Sequence, residues 1–307
     1  MDFELSEDEQ ALRDTVADFA AKHCSLASTR SRFDAELSYD PDVWRRACRE
    51  LDLTAVALPE PSGAAAGSLV ATGIVLLELG RQLAPLPFLS SVVLTGAALQ
   101  AMATSAARAE LLPGIAAGEA TATVAILDPG SGRGEAPVVQ ARRVSDQHRL
   151  SGTKVAVLDA DAADTILVVA PEWGLFAVER AAEGVEVRRR ESLDLTRRQY
   201  DVFFADAPAR LISDGADVAA GGEHVRAIAA AALAAEQLGC AQAAMQMAVD
   251  YARLRHQFGR PIGSFQAVKH LCAEMLVDVE GAMVAAFYAL WAGDADPGEL
   301  PLAAEVA

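Results

Sequence analysis

Two long helical patterns meeting at a short breaker limit what this chain can fold into. From about residue 214 to 255 the sequence is alanine-rich, and residues 227–235 are so uniformly apolar that the helix there must be buried on most sides. A second helix is predicted from Ser264, a good N-cap, to about Trp291, with Val268, Leu271, Cys272, Met275, Val279 and Met283 at core spacing. Between them stands Gly259-Arg260-Pro261, a turn signal. Two helices cannot close a bundle by themselves, so their remaining apolar faces call for other domains, other subunits or more chain. GDADPGEL ends the second helix and PLAAEVA opens another pattern at Ala307, so the C-terminal domain reads as incomplete there.

The same corner carries the chemistry. Arg253, Arg255, His256, Arg260 and Lys269 cluster in a chain whose formal net charge is -17, a local reversal of sign. Gln257, Phe258, Phe265 and Gln266 share the segment, a mixture that suits an anionic ligand with a flat ring better than a bare phosphate. Arginines beside a helix C-terminus also answer its dipole, and composition leaves both readings open.

Charge and cysteine usage exclude several classes. An excess of Asp and Glu argues against nucleic acid and anionic membranes, whose binding depends on neutralising phosphates. MDFELSEDEQ has neither a basic nor an apolar leader region, and no uninterrupted apolar run reaches membrane-spanning length. Cys24, Cys48, Cys240 and Cys272 are scattered without C-x-x-C spacing, which points to a reducing cytoplasm and to small core residues. The histidines lack ligand spacing, so no metal is expected, and there is no G-x-S-x-G, Rossmann or P-loop pattern.

Along the chain, Ser6 and Glu9 form a capping box ahead of Leu12, Val16, Phe19 and Ala20. Asp40-Pro41 starts a helix whose stripe is Val43, Trp44, Ala47, Cys48 and Leu51. Further helices are predicted over residues 69–83, from Ser90 or Ser91 to about Met102, and over 106–117. From Thr121 the texture becomes short Val- and Ile-rich runs separated by Asp-Pro-Gly, Ser-Gly and Trp-Gly turns, the mark of antiparallel β structure. The expected organisation is α+β: an N-terminal α-helical domain over 1–120, a central antiparallel β-domain over 121–212 and a C-terminal helical-bundle domain over 213–307.

The order of these parts, with Arg255-His256-Gln257-Phe258-Gly259-Arg260-Pro261-Ile262 and Phe265-Gln266 between two long helices, resembles the acyl-CoA dehydrogenase family. Supporting pieces are Leu58-Pro59-Glu60, Glu78-Leu79-Gly80-Arg81, Leu112-Pro113 with Gly118, Leu150-Ser151-Gly152-Thr153-Lys154 and Ala207-Pro208-Ala209. The resemblance implies FAD lying against one subunit's β-domain, with its pyrophosphate and adenosine end held by a neighbour's R-x-x-F-G block. On that pattern Arg255 pairs with the pyrophosphate, Gln257 hydrogen-bonds it, Phe258 packs beside it, and Phe265 and Gln266 line the adenosine end. A planar guanidinium fork suits phosphate oxygens as lysine cannot. The implied reaction converts an acyl-CoA to the 2,3-enoyl-CoA, a carboxylate taking the α proton while the flavin accepts the β hydrogen as hydride.

Here the sequence departs from the family. Ala229 stands at the first-helix position of the base, and the late position falls beyond Ala307. Glu223 and Glu236, about two turns to either side, read as structural or solvated. In the β-domain, Leu127-Asp128-Pro129-Gly130-Ser131-Gly132 loses the hydroxyl that faces the flavin, and Ala156 and Leu158 replace a Trp and a Thr. No catalytic residue is therefore assigned to this chain. The resemblance implies the catalytically incomplete subunit of a heteromeric, α2β2 acyl-CoA dehydrogenase, completing the FAD site of a partner, acting on a bulky or steroid side-chain acyl-CoA and passing electrons to an electron-transfer flavoprotein. The alternatives are a self-sufficient homotetramer with its base in further C-terminal sequence and a non-catalytic scaffold subunit.

Overall fold

A computed structural model describes residues 5–58, 67–130, 139–145, 147–213 and 217–307. Pro59, Glu60, Ser131 and Gly132 of the family motifs lie outside the described residues. The chain divides into two compact units, a helical one from residues 1–26, 69–84 and 230–307 and a sheet-centred one from residues 27–68 and 85–229.

In the helical unit, α1 (Glu7–His23) starts on the expected capping box, the Ser6 hydroxyl accepting from the Glu9 amide while the Glu9 carboxylate accepts from the Ser6 amide. Its Val16, Phe19 and Ala20 are buried. In the sheet-centred unit α2 (Leu26–Ser31), a short helix without a sequence signal, precedes α3 (Pro41–Glu50), whose cap is the predicted Asp40. Back in the helical unit, α4 (Leu69–Arg81) is buried on all sides over residues 72–80, which makes it the centre of that unit. Its first two amides are capped from a distance by the Asp294 carboxylate, at 2.6 and 3.1 Å. The buried Glu78 of α4 is held by Arg13 at 2.9 Å and Arg81 at 3.4 Å.

The sheet-centred unit continues with a π-helical stretch, Phe88–Leu94, which runs directly into α5 (Thr95–Met102), and then α6 (Ser105–Ala116). The sequence predicts one α-helix from Ser90 or Ser91. The wider turn is packed throughout, and its buried serines are engaged: Ser90 donates to Asp159 at 2.7 Å, and Ser91 accepts from the Ala122 amide at 3.0 Å. The strands are β1 (Ala122–Ala125), β2 (Gln140–Val144), β3 (Gln147–Leu158), β4 (Thr165–Ala170), β5 (Gly174–Glu179), β6 (Val185–Arg189) and β7 (Gln199–Leu211). They form a seven-stranded sheet of order β1-β4-β5-β7-β3-β2, with β6 also on β7. All ladders are antiparallel except β1 with β4, which is parallel and corrects the uniform expectation. The β2–β3 excursion lies between those two strands in sequence and supplies the crossover that parallel pairing needs. Leu150, Val157, Ile166, Val168, Phe176, Tyr200, Val202 and Phe204 lie in the core of this sheet.

The longest element, α7 (Val218–Leu254), is followed by the two-residue strands β8 (His256–Gln257) and β9 (Arg260–Pro261), a single 3-10 turn at Ile262–Ser264, α8 (Gln266–Ala295) and α9 (Leu300–Val306). Inside the helical unit α7 crosses α4 backbone to backbone. A Cβ at Gly80 would meet the Glu236 carbonyl oxygen at 2.2 Å, and one at Gly239 would meet that of Leu77 at 2.0 Å. Leu77, Leu238, Val279 and Ala286 form the core at this crossing, each large side chain contributing about 1.5–3 kcal/mol.

Two expectations for the last helices change. Phe265 caps α8, because Ser264 lies in the preceding turn and donates to the Pro261 carbonyl at 2.7 Å. The predicted stripe is not covered over its first half: Leu271 is 59% exposed, and Val279 is the first buried residue of α8. On α7, Met247, Tyr251 and Leu254 are likewise exposed. A groove of about 870 Å³ between α1, α4 and α8, lined partly by Leu77, Met283 and Phe287, leaves further apolar surface open. By length and composition α7 and α8 could cross a membrane, although neither is an uninterrupted apolar run. Both carry carboxylates along their length (Glu236, Asp278, Glu280), which hydrocarbon accommodates poorly.

Candidate cofactor-binding site

The segment between α7 and α8 is a miniature hairpin. His256 pairs with Pro261 and Gln257 with Arg260, and the Ile262 amide extends the ladder to the Arg255 carbonyl at 2.8 Å. Phe258 and Gly259 form the turn, with φ of 54° and 78°. Positive φ at both central residues is what a tight two-residue hairpin with right-handed twist demands, and Gly259 meets it without a Cβ penalty. Phe258 accepts the penalty and stands 91% exposed at the tip.

Opposed residues of an antiparallel pair project to one face, and faces alternate along each strand. Arg255, Gln257 and Arg260 therefore share a face, and His256 and Pro261 take the other. The Phe265 ring lies edge-on to Phe258, centroids 6.1 Å apart, and the Arg260 guanidinium sits 4.2 Å above its centre. Gln266, exposed, opens α8 directly after Phe265. Among the described residues neither Arg255 nor Arg260 has a carboxylate partner, whereas Arg253 is within 3.8 Å of Asp250. Two unneutralised guanidinium groups, an amide and two rings on one exposed turn are a donor set that fits a diphosphate joined to an aromatic base. Of the residues named from the sequence, Phe258 and Phe265 meet directly and Arg255 and Gln257 share a face. The stacking of Arg260 was not anticipated. Its signal is the two-residue turn itself, which sets Arg260 opposite Gln257.

The edge of the sheet where β1 ends beside β3 is built differently. Lys154 is fully buried, its ammonium 3.0 Å from the Ile126 carbonyl and 2.9 Å from an Asp128 oxygen. Burial pushes its pKa below the ordinary lysine value, with Asp128 acting against that shift. The Val155 amide donates to the Leu127 carbonyl at 2.9 Å, and the Thr123 hydroxyl to that of Leu158 at 2.6 Å. Ala156 occupies a β-bulge with φ 53°. The polar groups of this edge are thus turned on one another, and the side chains at the three altered positions, Leu127, Ala156 and Leu158, are aliphatic. They offer a flavin ring neither a hydroxyl nor an aromatic neighbour. On α7, Glu223 is exposed and ion-paired to Arg226, Ala229 is half-buried, and Glu236 is buried where Gly80 crosses it. Among the described residues no cluster of His, Cys, Asp or Glu could hold a metal ion.

Helices, then a mixed sheet, then two long helices joined by an arginine-and-aromatic turn define a class of chain. Comparison with known proteins gives the class its name. Residues 6–119 match the acyl-CoA dehydrogenase N-terminal domain, and residues 226–307 match the acyl-CoA dehydrogenase C-terminal domain. Acyl-CoA dehydrogenase IpdE2 of Mycobacterium tuberculosis is 32% identical over 280 residues, covering 90% of this chain and 73% of its own. Among solved structures, a variant of the Tcur3481–Tcur3483 steroid ACAD is 32% identical with a TM-score of 0.83, covering 97% of this chain and 82% of that one. The ChsE4–ChsE5 complex from Mycobacterium tuberculosis is 29% identical with a TM-score of 0.86, covering 99% and 83%. This chain belongs to the acyl-CoA dehydrogenase family.

Proposed function

We propose that this chain is the cofactor-completing subunit of a heteromeric acyl-CoA dehydrogenase that forms 2,3-enoyl-CoA. The observation that carries the proposal is the contrast within one chain: diphosphate donors at Arg255 and Gln257 with the Phe258 ring on one turn, and, elsewhere in the chain, a sheet edge made aliphatic at Leu127, Ala156 and Leu158. The Tcur3481–Tcur3483 and ChsE4–ChsE5 relatives, each named as a pair and the first as a steroid enzyme, support a two-chain assembly and a bulky or steroid side-chain acyl-CoA. The uncovered apolar faces of α7 and α8 suit burial against other subunits, as in an α2β2 arrangement. We also infer that residues 1–120, 121–212 and 213–307 serve as its three domains and that it works in the cytoplasm.

FAD bound to the assembly supplies the hydride acceptor. Arg255 and Gln257 would hold its diphosphate, Phe258 would pack beside it, and Phe265 and Gln266 would border the adenosine end. In this reading the carboxylate that removes the α proton comes from the partner; at the first-helix position of this chain Ala229 offers none, and Glu223 and Glu236 are engaged elsewhere. An electron-transfer flavoprotein would be the electron acceptor. The test is to purify the chain alone and with the product of the adjacent gene, then record the flavin spectrum and the FAD count per chain. The expected result is a colourless single chain and a yellow complex. One FAD per isolated chain with enoyl-CoA formation would replace the heteromer by a self-sufficient enzyme, and a colourless complex would leave a scaffold.

A further inference from the structure

We infer that Arg260 is a specificity-determining residue of this half-site, a second cation that makes it select a diphosphate over a monophosphate; the inference rests on the cofactor role proposed above. Three observations converge. Arg260 stands opposite Gln257 in the ladder, so it projects from the face that carries Arg255. Like Arg255, it has no carboxylate partner among the described residues of a chain with a formal net charge of -17, so none of them neutralises its charge. Its guanidinium carbon also lies over the Phe265 ring, 4.2 Å from the ring centre, and Phe265 is in turn braced edge-on by Phe258.

Stacking engages the face of a guanidinium and leaves its in-plane N–H groups free, which is the geometry for gripping an anion from the side. A long side chain otherwise loses rotamer freedom on binding, and here the ring restrains it in advance. One cation on this face would suffice for a single phosphate. Two cations with an amide between them on the same ladder match two linked phosphates, and the ring beneath Arg260 extends the surface toward an attached base.

The test uses the complex of this chain with its partner subunit, stripped of flavin and titrated with FAD, followed by fluorescence, with ADP and AMP as competitors. In the wild-type complex ADP is expected to compete at least tenfold better than AMP. Arg260→Ala is expected to weaken FAD about tenfold, the scale of one lost charge-assisted hydrogen-bonding group. It should also bring ADP down to the level of AMP, and Arg260→Lys should recover the charge but only part of the preference. Arg255→Ala distinguishes the two levels of the proposal. If Arg255→Ala loses FAD while Arg260→Ala keeps both FAD affinity and the ADP preference, the role of Arg260 is wrong and the cofactor site stands. If neither change alters FAD binding, the site itself is elsewhere. An equal weakening of ADP and AMP in Arg260→Ala would mean that Arg260 only braces Phe265, and would also overturn the inference.

Discussion

The turn between α7 and α8 and the β1–β3 edge of the sheet carry the two halves of one family pattern, and they have been treated in opposite ways. The turn keeps its polar groups uncommitted and exposed, held in place by a short ladder and a stack of rings. At the sheet edge, a buried lysine is ion-paired to an aspartate and donates to a backbone carbonyl, and the surface positions are aliphatic. Groups that spend their hydrogen bonds on one another stabilise a fold, and groups left without internal partners are available to a ligand.

Cutting the internal network should produce the largest effect. Lys154→Ala leaves the partly buried Asp128 without its partner, and loss of one member of a fully buried pair costs about 3–5 kcal/mol, an upper bound here. Urea melts of the sheet-centred unit should therefore shift strongly while FAD retention of the surviving folded complex hardly changes. Arg255→Ala should do the reverse: thermal stability within about 0.5 kcal/mol of wild type, and FAD affinity of the complex down roughly ten- to a hundredfold, as expected for charge-assisted bonds. Unchanged flavin content would return the basic cluster to a structural role.

Alkaline titration gives a smaller contrast. Burial raises the Cys48 thiol from 9.0 to about 12. The stability it contributes is fully present below pH 9 and is lost as pH rises toward 12, with a slope of about 1.4 kcal/mol per pH unit for one proton. Lys154 runs the other way. Its lowered pKa means that the folded state releases the proton first, so its penalty on folding eases as pH rises toward 10.5. Denaturation midpoints from pH 8 to 11 should flatten in Cys48→Ala, and a profile unchanged by that substitution would count against the burial of the thiol.

Much of the layout could be read beforehand because its signals are local. The Ser6–Glu9 box, the Asp40 cap and the breakers at Gly259 and Pro261 act within a few residues. The parallel β1–β4 pair, the π-helical stretch and the exposure of Leu271 were not legible, since each depends on partners distant in sequence or absent from a single chain. In the candidate site the residue types were legible from the motif, but the face shared by Arg255, Gln257 and Arg260 required the ladder register, and the stack on Phe265 required coordinates.

Phe258 is an element of frustration in the fold. A non-glycine residue held in the left-handed region costs about 1–2 kcal/mol, and a ring 91% exposed to water recovers none of it by packing into a core. Folding by itself would favour asparagine or glycine there, so the present residue marks a place where the isolated chain is less stable than its own backbone allows. Phe258→Asn should raise the melting temperature of the free chain and weaken its flavin-bound assembly, and the free chain carries that local conflict until a ligand or another surface covers the ring.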